Sequence, residues 1–213
     1  MHMYVRALEK VASRYAPSRA LSFDVVHVFV ALQLIEDGGR TSREAMASGL
    51  ALGDGSVKTL VKHLKMNGLV QTTNGGTKMT IKGKGICDGL LTAMPAEMSL
   101  PRCSVALGKF NYAVLVKEFG FAVRSGIEQR DAAIKMGAVG ATTLLFRDEK
   151  FVMPATSQDS LKKEPHVRKM MVEKLVPEEG DLVIIGSAEN EKTAELAAKS
   201  AALLTIFSHE KHH

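Results

Sequence analysis

The sequence predicts an α+β protein in two parts, a mostly helical N-terminal part followed by one in which strands alternate with helices. Three observations predict it. Up to about residue 94, apolar residues recur mainly at helical spacing, interrupted by one short hairpin pattern. Beyond about residue 102, short β-rich apolar runs alternate with helical stretches. Between them lies Pro95–Pro101 (PAEMSLP), without clear periodicity and bracketed by prolines, which end helices. The expected domains are 1–94 and 102–213, and 213 residues suffice for two small cores.

Residues 4–15 read as an amphipathic helix with Val5, Leu8 and Val11 on one face, ended by Pro17. Ser22 is the expected cap of a second helix running to about Asp37, apolar on most sides and stopped by Gly38-Gly39. Thr41 or Ser42 caps a short helix over Arg43–Gly49, with Glu44 at its positive end. A turn at Ala51–Gly55 leads to a helix over Ser56–Asn67. Its stripe of Val57, Leu60, Val61 and Leu64 faces the core, and Gly68 closes it. Leu69–Thr73 and Thr77–Ile81 read as hairpin strands joined by Asn74-Gly75-Gly76, and a last helix runs to Met94.

In the second part, strands are expected at Arg102–Leu107, Ala113–Lys117, Ala141–Phe146, Phe151–Met153 and Asp181–Ile185. Helices are expected at Ile127–Met136, Ser160–Leu175 and Asn190–Leu204, with a hairpin turn at Arg147–Lys150.

Composition narrows the function classes. Residues 1–93 hold 12 Lys and Arg against 7 Asp and Glu, whereas residues 94–213 hold 16 of each. A basic module joined to a neutral one is the charge pattern of a nucleic-acid-binding protein. No apolar run is long enough to span a bilayer, so no membrane partner is expected. Met1–Lys10 lacks the apolar core of a signal peptide, and two cysteines are too few for a disulfide scaffold or zinc cluster. These features point to the cytoplasm, and no cofactor or metal is implied.

Residues 52–85 (LGDGSVKTLVKHLKMNGLVQTTNGGTKMTIKGKG) resemble the recognition helix and wing of bacterial and archaeal winged helix-turn-helix regulators. The resemblance spans about Gly38 to Leu91. It implies binding of double-stranded DNA, with the helix from Ser56 in the major groove. Ser56, Lys58, Thr59, Lys62, His63 and Lys65 are the expected contacts on that helix. Thr41, Ser42 and Arg43 offer a helix N-terminus to a phosphate, and Asn74 and Lys78 belong to the wing. Residues 126–154 and 180–204 resemble the second domain of an uncharacterised archaeal family that pairs a winged helix with an α/β domain of unknown function. That resemblance implies fold and domain pairing and no catalytic residues.

Three features of the second part are candidate effector sites, each with a structural reading beside it. Gly137, Gly140, Thr142 and Thr143 either cradle an anion or form a helix C-cap. Arg130-Asp131 either binds a carboxylate or phosphate or forms a salt bridge. Ser187 lies after a buried strand, where open α/β sheets place ligands. Catalysis finds little support. Cys87 and Cys103 lack a neighbouring base. His27 lies on an apolar helix and His166 on an exposed one, while His209, His212 and His213 form a tail. The expectation is a transcription regulator, not an enzyme, acting as a homodimer with a possible small-molecule effector. An enzyme with a regulatory winged helix and a protein-binding scaffold are the alternatives.

Overall fold

The computed structural model describes residues 2–13 and 20–208. Pro17 and the histidines of the tail lie outside them. The chain divides into two compact units between Leu91 and Thr92.

In the first unit, helix α1 (His2–Val11) buries Val5, Leu8 and Val11. Helix α2 (Val25–Gly38) is the most buried, with Val26, Val28, Phe29, Leu32 and Ile35 inside. Its cap is Asp24, not the expected Ser22. Asp24 accepts from the Val25 N–H at 2.7 Å, and its own N–H donates to His27 Nδ1 at 3.0 Å, closing a capping box. Helix α3 (Arg43–Leu50) is capped by Ser42, whose Oγ accepts from the Ala45 N–H at 3.0 Å. Helix α4 (Asp54–Met66) starts before the expected Ser56, which places the Asp54 carboxylate at its positive end. Val57, Leu60, Val61 and Leu64 are buried.

Strands β1 (Val70–Thr73) and β2 (Gly76–Met79) pair antiparallel from Val70↔Met79 to Thr73↔Gly76, around Asn74-Gly75. The positive φ expected of the Asn-Gly pair falls instead on Gly76, at 118°. A Cβ there would lie 3.0 Å from the Thr41 carbonyl oxygen, so only glycine suits both the backbone and the neighbour. Thr41 and Thr77 exchange two backbone hydrogen bonds of 2.9 Å, clamping the start of α3 to the hairpin. Thr80 Oγ1 accepts from the Gly83 N–H at 3.0 Å and starts α5 (Ile81–Ala93).

The second unit is mixed α and β. Strands β3 (Glu97–Leu100), β4 (Phe110–Val116), β5 (Gly140–Arg147), β6 (Lys150–Val152) and β7 (Leu182–Ala188) form one sheet in the order β3-β4-β7-β5-β6. Every neighbouring pair is antiparallel. The helices are α6 (Ile127–Lys135), α7 (Pro165–Leu175) and α8 (Glu191–Ser208). Leu144, Phe146, Val183 and Ile185 pack with Val167, Met171 and Leu175 of α7. The other face packs on α6 and α8, and a Cβ on Gly186 would lie 2.4 Å from the Ala194 carbonyl oxygen.

Three local expectations are corrected. Pro95–Pro101 contains edge strand β3, whose Met98 and Leu100 point inward. Arg102–Leu107 is not a strand, because Cys103 and Ala106 bond to each other across a tight turn. Helix α7 starts at Pro165 and not Ser160, since proline fits the first helical position, where no N–H partner is required. The β5–β6 hairpin turns at Asp148-Glu149, both at positive φ (50° and 58°).

Candidate functional site

In the first unit, α3, α4 and the hairpin border an open groove of about 1540 Å³. It gathers eight of the eleven residues expected at a DNA interface: Thr41, Ser42, Arg43, Lys58, Thr59, Lys62, Lys65 and Asn74. Four cations line it, Arg43, Lys58, Lys62 and Lys65, against the two carboxylates of Glu44 and Asp54. Lys58 and Lys62 are exposed on successive turns of α4. Lys65 Nζ donates to Thr72 Oγ1 at 2.9 Å and so joins α4 to the hairpin.

Several expected contacts have structural duties. The Thr41 hydroxyl donates to the Leu34 carbonyl at 2.9 Å, and Thr41 is 7% exposed. Ser42 caps α3, and the Thr59 hydroxyl donates to the Gly55 carbonyl at 2.9 Å. These groups set the shape of the groove, and the long cations reach into it.

Three expected residues do not line the groove. Ser56 is half-buried in the first turn of α4. Lys78 sits on the hairpin face opposite Thr77, because strand side chains alternate. His63 is the clearest correction. It is 6% exposed, its Nδ1 lies 2.8 Å from the Val11 carbonyl oxygen, and its ring meets Phe23 edge-on. It belongs to the core and not to the basic face.

The groove also contains residues that sequence reasoning missed. Thr72, Thr73 and Thr77 line it, as does Met66, which is 57% exposed. The Arg40 guanidinium lies against the hairpin tip, 2.8 Å from where a Gly75 Cβ would stand.

The candidate effector residues of the second unit do not converge. Ser187 shares a sheet face with Asn111, and its hydroxyl donates to Asn111 Oδ1 at 2.7 Å, both residues being buried. Thr142 alternates with Thr143 along β5 and so faces the other way. Thr143 packs under Gly126 at the start of α6. Arg130 and Asp131 stand exposed on α6 and bond to each other at 3.2 Å. The antiparallel sheet also removes the reason for expecting a ligand at Ser187, which applies to parallel sheets.

A charged cluster in this unit was not anticipated. Lys199 of α8 is 2% exposed, with its Nζ 2.9 Å from Glu97 Oε1 and 2.8 Å from Glu195 Oε1. The Tyr112 hydroxyl donates to Glu97 at 2.8 Å, and the Lys199 ammonium lies 5.6 Å from the Tyr112 ring centre. Burial raises the Tyr112 pKa, and Glu97 adds to the rise. Burial also pushes Glu195 up, but Lys199 and Lys192 outweigh it and hold this carboxylate below its ordinary value. The lone lysine in the alanine run of α8 was the signal.

The thiols are poor nucleophiles. Burial, reinforced by Glu36, pushes Cys87 up to about 12, and burial also raises Cys103. Among the described residues, no group of three or more His, Cys, Asp or Glu is placed to hold a metal ion. No helix among them is long and apolar enough to cross a membrane.

Comparison with known proteins bears first on the second unit. Residues 107–206 match a family model described as a domain of unknown function (DUF4443). A solved archaeal structure, the hypothetical protein PH0730 from Pyrococcus horikoshii OT3, is similar over 90% of this chain and 96% of its own. The TM-score is 0.71 at 29% sequence identity. No curated protein matches the chain.

Proposed function

We propose that residues 2–91 form a winged helix-turn-helix that binds double-stranded DNA, and that the protein is a transcription regulator. The observation that carries this reading is the groove in which Lys58 and Lys62 of α4, the N-terminus of α3 and the hairpin converge. Helix α4 is the recognition helix, its exposed face directed to the major groove. The free N–H groups at the start of α3 and the cations on α4 take phosphates. The hairpin is the wing, with Arg40 and Asn74 at its tip. The excess of positive charge in this part of the chain supports the same assignment. In this reading the protein acts in the cytoplasm as a homodimer, catalyses no reaction, and uses its second unit for pairing and for sensing a small molecule.

The test is duplex binding measured against salt concentration. Each phosphate neutralised contributes about 0.9 to the slope of log affinity against log salt. Changing Lys58 and Lys62 together to Ala is expected to lower affinity across sequences and to flatten that slope by about 1.8. Absence of binding to any duplex at low salt overturns the reading.

A further inference from the structure

Helix α6 begins without a side-chain cap. Its N-cap is Gly126, at φ 76°, which offers no side-chain oxygen to the first turn. The Ile127 N–H reaches only Ser125 Oγ, at 3.5 Å. The Glu128 and Gln129 N–H groups have no acceptor among the described residues, as the first turn of a helix leaves them. This end of the helix carries partial positive charge.

Thr143 of β5 lies under the same glycine. It is 4% exposed, and its hydroxyl is buried with no hydrogen-bond partner. Gln129, the buried polar side chain of α6, is committed elsewhere, since its Nε2 donates to Thr205 Oγ1 at 2.9 Å. A Cβ at Gly126 would lie 3.3 Å from Thr143 Oγ1. Apart from Thr143 and the adjoining chain, no heavy atom of the described residues comes within 4 Å of that point. Gly126 is half-buried, so this space is reached from solvent. An oxygen placed there meets the Thr143 hydroxyl on one side and the open end of α6 on the other.

We propose that the start of α6 and Thr143 form a binding site for the carboxylate of a small molecule. One ligand oxygen accepts from the Thr143 hydroxyl, and the other accepts from the Glu128 and Gln129 N–H groups. A buried hydroxyl without a partner is a group that a ligand completes, and its bond to an ionised oxygen is a strong one. Charge selects a carboxylate over a phosphate. Arg124 and Glu128 at the opening are both exposed and offset each other, and Arg130 is bonded to Asp131. None of these neighbours is left to balance the second charge of a phosphate. The site rests on the reading above for its purpose, and it names the chemistry that the second unit senses.

Titration of the full chain with sodium acetate at constant ionic strength, followed through backbone amide resonances, tests it. Saturable shifts are expected at Glu128 and Gln129. Thr143→Val is expected to weaken acetate binding at least about tenfold, whereas Thr143→Ser keeps the hydroxyl and is expected to bind as wild type does. Without acetate, Thr143→Val is expected to melt no lower than wild type, because it removes a buried hydroxyl that has no partner. Inorganic phosphate is expected to bind more weakly than acetate. Absence of saturable shifts at these amides, or equal shifts in Thr143→Val, would mean an adventitious ion only and overturns the site. A lower melting point for Thr143→Val without acetate would show the hydroxyl already bonded within the fold, and also overturns it. Phosphate bound as tightly as acetate overturns the choice of a carboxylate. The titration contains no DNA, so a site that obeys these variants stands even where no duplex is bound, and failure of acetate to bind leaves the DNA-binding reading untouched.

Discussion

The two units use lysine in opposite ways. In the first, Lys58 and Lys62 stand in solvent beside an open groove. In the second, Lys199 is buried between Glu97 and Glu195 and lies over Tyr112. A solvated lysine keeps its hydration until a ligand displaces it, so it is free to bind. A buried one has lost its hydration and depends on its partners. The first arrangement suits recognition, and the second locks edge strand β3 to helix α8.

The largest expected effect tests the buried side of that contrast. Lys199→Ala removes the cation that Glu195, whose side chain is 14% exposed, and the more exposed Glu97 share, and is expected to destabilise the fold by about 3 kcal/mol, read as a fall in the urea midpoint. Asp181 follows. It is fully buried, accepts from the Glu118 and Glu178 N–H groups at 2.8 Å each, and lies 3.3 Å from Lys117 Nζ. Asp181→Ala strands those donors and is expected to cost about 2–3 kcal/mol. Lys58→Ala or Lys62→Ala should change stability by no more than about 0.5 kcal/mol, because neither side chain is packed. A large loss there would show that the groove lysines are structural after all.

Local physics explains what was legible. The stripe Val57, Leu60, Val61 and Leu64 marked the buried side of α4 because helical spacing alone decides it. The same spacing did not expose His63, whose inward placement depends on α1 and Phe23, far away in sequence. Most of the groove was readable, since its residues lie in one continuous stretch with capping and turn signals. Arg40 was not, because its position against Gly75 exists only once Thr41 and Thr77 have paired. In the second unit, strand lengths were visible but strand order was not. Alternating strands and helices suggested α/β connections, whereas β4, β7 and β5 pair antiparallel. The Lys199 cluster joins residues about a hundred positions apart, beyond the reach of any local pattern.

The smallest effect concerns a committed polar group in the first unit, which sharpens the contrast by showing that it follows burial and not location. His27 is 8% exposed and accepts the Asp24 N–H through Nδ1, so its neutral form completes the cap of α2. Burial holds its pKa below 6.5, with Asp24 offsetting part of the shift. As pH falls through 6.5, the unfolded chain takes up this proton before the folded one does. Stability contributed by neutral His27 is therefore fully present above 6.5 and is lost as pH falls below it. Glutamine at this capping-box position also accepts the cap N–H but does not titrate. The difference in stability between wild type and His27→Gln should stay flat above pH 6.5 and turn against wild type below it, because every other titrating group is common to both proteins. Parallel stability curves down to pH 5 would mean that His27 accepts its proton in the folded state as readily as in the unfolded chain, and that the α2 cap does not depend on it.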